Sequence, residues 1–176
     1  GVKIIKAPAL KLLDISFSGL KNIEFVDCPA LENLVFEGNK QMNKPDFSSL
    51  FGLKILNIAG TTIQEMDFSL FPNLECLDIS SVKLKTLDLT KNIKLKELYC
   101  ENAGLNNLDL TKNIKLTHLN CRANKLTELA LFQNKELKFL DCGKNGLDKI
   151  LINLNTKLQK LYCDSNEIKD LDFSSL

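Results

Sequence analysis

Leu116-Thr-His-Leu-Asn-Cys-Arg-Ala-Asn-Lys-Leu-Thr-Glu-Leu129 sets apolar side chains at Leu116, Leu119, Cys121, Leu126 and Leu129 around a polar Asn124. The preceding unit repeats this with Leu95, Leu98, Cys100, Leu105 and Leu108. The first leucine recurs unbroken at Leu10, Leu31, Leu53, Leu74, Leu95, Leu116, Leu137 and Leu158, in steps of 21 residues with one step of 22. Three residues on stand Leu13, Leu34, Leu56, Leu77, Leu98, Leu119, Leu140 and Leu161. Five residues on, Ile15, Phe36, Ile58 and Ile79 give way to Cys100, Cys121, Cys142 and Cys163. A second apolar pair closes most units, as in Ile23/Phe25, Met66/Phe68, Leu87/Leu89, Leu108/Leu110, Leu129/Leu131 and Leu171/Phe173.

A unit this short cannot bury its apolar side alone, so successive units must stack. The spacing predicts one coil per repeat, with each L-x-L segment a short strand paired in parallel with its neighbours. At a strand spacing of ~4.8 Å, eight coils span roughly 40 Å. Alternation along a strand points the leucine and cysteine columns inward and the residues between them outward, onto a concave face. The second half of the unit, as in residues 87–92 and 108–113, alternates briefly and then runs into a polar turn. Short extended segments and turns, with little helix, are therefore expected on the convex side. An acidic column follows that side through Glu24, Asp46, Asp67, Asp88, Asp109 and Asp172, and is interrupted by Ala130 and Leu151.

Asn39, Asn124, Asn145 and Asn166 share one register. A buried amide there is expected to bond loop backbone of its own and the adjacent turn. Ser18, Thr61, Val82 and Ala103 stand in that register elsewhere, so those turns should take a different path or use water. Residues 1–176 read as one repeat domain. Val2 and Ile4 match Ile23 and Phe25, and the chain closes on Asp172–Leu176 late in a coil. Solenoids need polar capping turns, and neither end supplies one, so the chain is expected to be part of a longer protein.

The pattern L-x-x-L-x-C-x-x-N-x-L, carried most fully by residues 116–129, resembles the short bacterial leucine-rich repeats with a cysteine ladder. Such repeats belong to internalin-like proteins and to many surface proteins of Bacteroidetes. The likeness is strongest over residues 74–176 and looser before them, where Ile or Phe fills the cysteine column. It implies a leucine-rich-repeat solenoid in a secreted or surface-anchored bacterial protein that binds macromolecules, and it implies no catalytic residue set.

Bulk properties narrow the classes. The 176 residues carry a formal net charge of +1 with acids and lysines interspersed, which gives no electrostatic footprint for nucleic acid. No apolar run reaches the length of a membrane-spanning helix. The cysteine column invites a chemical reading, but structural zinc wants close ligand pairs such as C-x(2–4)-C, not one thiol per coil. Disulfides between stacked coils fit badly, because parallel neighbours point their Cβ vectors the same way. Compact core side chains are the simpler reading of Cys100, Cys121, Cys142 and Cys163. Cys28, in a late turn, and Cys76, at an outward strand position, are the better candidates for exposed thiols. The single His118 lacks a nucleophile beside it, since Cys76 stands two coils away, and no phosphate, nucleotide or zinc-protease motif occurs. Neither a cofactor nor a metal is expected.

The outward positions remain. Tyr99, His118, Asn120, Arg122, Phe139, Asp141, Lys160 and Tyr162 should line the concave face, and aromatics beside arginine are the types enriched in binding hot spots. Leu12, Phe17, Val35 and Ile55 offer a more aliphatic patch in the first half, and Ala130, Phe132 and Leu151 a smaller convex one. The expected function is non-catalytic recognition of a protein or glycan. A spacer or scaffold, and an accessory domain of an enzyme whose active site lies elsewhere, are the alternatives.

Overall fold

Each repeat leucine begins a turn of chain that leads into a three-residue strand, and the computed structural model, which describes residues 3–42 and 45–169, stacks these strands in sequence order. They are β2 (Leu12–Asp14), β4 (Asn33–Val35), β5 (Ile55–Asn57), β6 (Cys76–Asp78), β7 (Glu97–Tyr99), β8 (His118–Asn120), β9 (Phe139–Asp141) and β10 (Lys160–Tyr162). All eight pair in parallel in one sheet. The register keeps the second leucine column in line, with Leu98 opposite Leu77 on one side and Leu119 on the other. On the convex side, β1 (Lys3–Lys6) pairs in parallel with β3 (Ile23–Asp27), and isolated bridges join Glu24 to Asp46 and Ala130 to Leu151. The described residues contain one short 3-10 turn, Phe68–Leu70, capped by the Asp67 carboxylate. The chain is thus a leucine-rich-repeat solenoid with almost no helix. Val2, Leu171, Asp172 and Phe173, together with the closing residues 174–176, lie outside the described residues.

The interior follows the columns. Leu34, Leu56, Leu77, Leu98, Leu119 and Leu140 are fully buried, as are Phe36, Ile58, Ile79, Cys100, Cys121 and Cys142. All six thiols are free. The Cys100 and Cys142 thiols donate to the carbonyls of Asn120 and Tyr162 at 3.4 and 3.5 Å, one coil onward. Cys28 departs from expectation. It is 3 % exposed and donates to the Ile5 carbonyl at 3.7 Å. Its turn lies three residues before Leu31, a register whose side chain points into the core in every coil from Cys28 to Asn155.

That register holds a second asparagine ladder that the sequence reading passed over. Asn92, Asn113, Asn134 and Asn155 are fully buried. Asn113 Nδ2 donates to the carbonyls of Leu89 and Asn92 at 3.1 and 3.0 Å, and its neighbours repeat the pattern. The Oδ1 atom of each has no hydrogen-bond partner among the described residues. The anticipated ladder behaves as expected. Asn124 Nδ2 donates to Cys100 and Cys121 carbonyls, while its Oδ1 accepts from the Leu105 amide. Where Thr61 or Val82 replaces it, the backbone N–H at that position bonds the carbonyl three residues back, so the turn tightens and takes over the missing bond.

Candidate concave binding face

The centre of each inner strand, β4 to β9, is buried and its flanking residues are exposed in part or fully, which leaves one face of the sheet open to solvent. Of the eight residues singled out by sequence, three form a continuous aromatic contact. The His118 imidazole stacks on Phe139 with centroids 6.0 Å apart and planes 20° apart, and Phe139 meets Tyr162 at 5.7 Å and 47°. They sit on β8, β9 and β10; His118 and Phe139 are register partners, whereas Tyr162, opposite Asp141, reaches Phe139 diagonally. Thr117 Oγ1 lies 3.0 Å from His118 Nδ1. Tyr99 shares the face but not the stack. Its hydroxyl donates to the Glu97 carboxylate at 3.0 Å, and burial together with that carboxylate pushes its pKa up to about 12.

Asn120 and Asp141 have structural duties as well as exposure. Each closes a turn at its strand end by accepting from the backbone N–H two residues on, of Arg122 and Gly143 respectively. Asn120 Nδ2 also donates to Glu101. Lys160 is exposed on β10. Arg122 is committed further than sequence suggested. Its guanidinium forms a bidentate pair with Asp164, two coils onward, at 2.7 and 2.8 Å, and a single contact of 3.2 Å with Asp141. Gly143, in the coil between, makes this possible, because a Cβ there would lie 2.2 Å from Arg122 Nη1. The guanidinium holds the Asp164 pKa down at about 2. Asp164 and Gly143 were missed by sequence reasoning, although a glycine in the column that holds Arg122 and Asp164 was a visible signal.

In the first half, Leu12 and Ile55 are exposed, whereas Phe17 stands beyond the strand in a left-handed turn, its ring in the space beside Gly38. Ala130, Phe132 and Leu151 are exposed on the convex side.

Activated cysteines need an electropositive setting that lowers their pKa. Here burial and the Glu97 and Asp78 carboxylates push the Cys76 thiol up to about 12, and burial pushes Cys142 to about 12 as well. Among the described residues no three His, Cys, Asp or Glu side chains converge as metal ligands, and no helix is long and apolar enough to cross a membrane.

The eight-strand open sheet carries an aromatic row over its last three strands, and solved structures share its fold. The functional domain of internalin J from Listeria monocytogenes, which includes a cysteine ladder, is similar at 24 % identity and a TM-score of 0.71, over 96 % of this chain and 47 % of that one. The chain therefore spans about half the length of that domain. Internalin C2 from Listeria monocytogenes matches at 18 % identity and a TM-score of 0.82, over 92 % of this chain and 74 % of that one. A leucine-rich-repeat protein of Leptospira interrogans matches at 16 % identity and a TM-score of 0.69, over 97 % of this chain and 66 % of that one. No protein-family model matches the sequence, and no curated protein is similar to it.

Proposed function

We propose that the chain is a non-catalytic recognition module of a bacterial surface or secreted protein, which binds a protein through its concave sheet. The observation that carries this is the row His118–Phe139–Tyr162 across three adjacent strands, with Tyr162 49 % exposed. Aromatics held rigidly on strands offer large contact area at little entropic cost. The Arg122–Asp164 pair stiffens the edge of the same surface. A spacer would have no use for such a row, and an enzyme accessory domain could use it only as a docking face.

Panning a random peptide display library against the parent chain tests the reading. Enriched peptides are expected to lose binding on a chain carrying Tyr99→Ala, Phe139→Ala and Tyr162→Ala, with circular dichroism unchanged. Equal binding to both chains would remove the aromatic face as the contact surface.

A further inference from the structure

The first five coils carry a different signal from the aromatic end. Their open sheet face combines an apolar strip, Leu12, Val35 and Ile55, with carboxylates, Asp14, Glu37, Asp78, Glu97 and Glu101. No lysine or arginine stands at an outward position of β2, β4, β5, β6 or β7, or at the position two residues beyond each strand. None of the five carboxylates is ion-paired among the described residues. The cations that do stand on the open face, Arg122 and Lys160, belong to the later coils. On the near rim Lys54 and Lys96 are already taken by Glu32 and Glu75, at 3.0 and 2.6 Å.

Two further features show what this face would hold. A cleft of about 270 Å³ opens between Ile55, Cys76 and Glu97, its wall completed by Asn33, Glu75 and the ion-paired Lys54 and Lys96. That suits a long aliphatic stem with a cationic head, since lysine and arginine bury their methylenes while the charge stays in contact with water or a carboxylate. The other feature is a template within the chain. Arg122 lies across Gly143 to reach Asp164. In the same column upstream, Glu37 and Glu101 are separated by the small Ala59 and Ser80, with Asp78 alongside and no cation of the chain's own between them.

We propose that the concave face of β4–β7 receives an extended, arginine- or lysine-bearing segment of a protein partner, its cations between Glu37, Asp78 and Glu101 and a stem in the Ile55–Cys76–Glu97 cleft. This rests on the concave sheet being the contact surface and assigns the chemistry of what it contacts. The segment runs along the solenoid axis, across the strands, and its charges steer its approach. Its contacts continue into the aromatic row without depending on it.

The test uses the whole chain and a fluorescein-labelled dodecapeptide with four arginines spaced by serine and glycine, read by anisotropy. Binding is expected at about 50 mM salt and should weaken as salt rises. Glu37→Gln with Glu101→Gln is expected to lower affinity about tenfold, whereas Asp88→Asn with Asp109→Asn, an equal charge change on the convex side, should alter it by less than about twofold. Phe139→Ala with Tyr162→Ala should leave this peptide bound. Loss of peptide binding by the aromatic variant alone would leave the proposed function standing and overturn the acidic subsite. The same holds for equal losses from the two charge pairs, for no binding by the parent, or for tighter binding of a chitosan hexamer than of the peptide.

Discussion

Asn113 shows how much one side chain carries here. Its two Nδ2 bonds satisfy the buried carbonyls of Leu89 and Asn92 in the preceding coil, although its Oδ1 has no partner among the described residues. Unpaired buried carbonyls are costly, so Asn113→Ala is predicted to destabilise the chain by about 2 kcal/mol in urea unfolding. A loss within error would mean that the turn re-pairs without the amide. Asp164 makes the opposite kind of prediction, one in pH. Its pKa falls from 3.8 to about 2 because Arg122 holds the charged form. A depressed carboxylate stabilises the fold above its unfolded pKa and loses that effect as the pH falls through the folded one. The gap in urea midpoint between the parent and Asp164→Asn should therefore be constant at neutral pH and shrink from about pH 4 towards pH 2. A gap independent of pH would show that the pair contributes nothing through its charge. Asn124 was legible in the sequence because it stands among leucines. Asn113 was not, because Lys-Asn after Leu-Asp-Leu-Thr reads as a solvated turn.

At the scale of the element, the device that closes every strand of the eight-strand sheet is one residue in the left-handed region. It is Phe17, Gly38, Gly60, Ser81, Asn102, Ala123, Lys144 or Ser165, with φ between 51° and 71°. Its N–H still reaches the next coil, as from Ala123 to the Gly143 carbonyl at 2.9 Å, so the ladder continues while the chain turns inward to the buried asparagine register. Only two of the eight are glycine, and sequence gave no hint of the shared conformation. A non-glycine residue costs about 1 kcal/mol there, so Ala123→Gly is predicted to stabilise by about 0.5–1 kcal/mol, measured by urea unfolding. Destabilisation would mean that the methyl group is packed rather than strained. The short strands themselves were legible, since their register is that of the leucines. Their outward side chains were legible only as a list. That Tyr99 turns to Glu97 on its own strand while His118 turns to Phe139 on the next depends on side-chain contacts, which periodicity does not encode.

At the scale of the molecule, the repeat explains why a column of cysteines needs no chemistry. Cys100 fills the slot of Ile15, Ile58 and Ile79, and Cys28 belongs inside as well, against the expectation of an exposed thiol. What varies between coils is the outer surface, acidic over the first five strands and aromatic over the last three, and the function proposed here rests on that surface. The most direct measurement is thiol labelling of the native chain, with each site read by peptide mass spectrometry. Slow labelling at Cys76 and Cys163, which are half-buried, and none at Cys28, Cys100, Cys121 or Cys142 without denaturant is the predicted result. Rapid native modification of Cys100, Cys121 and Cys142 would contradict it, because thiols that react in the folded chain are not the core of the solenoid.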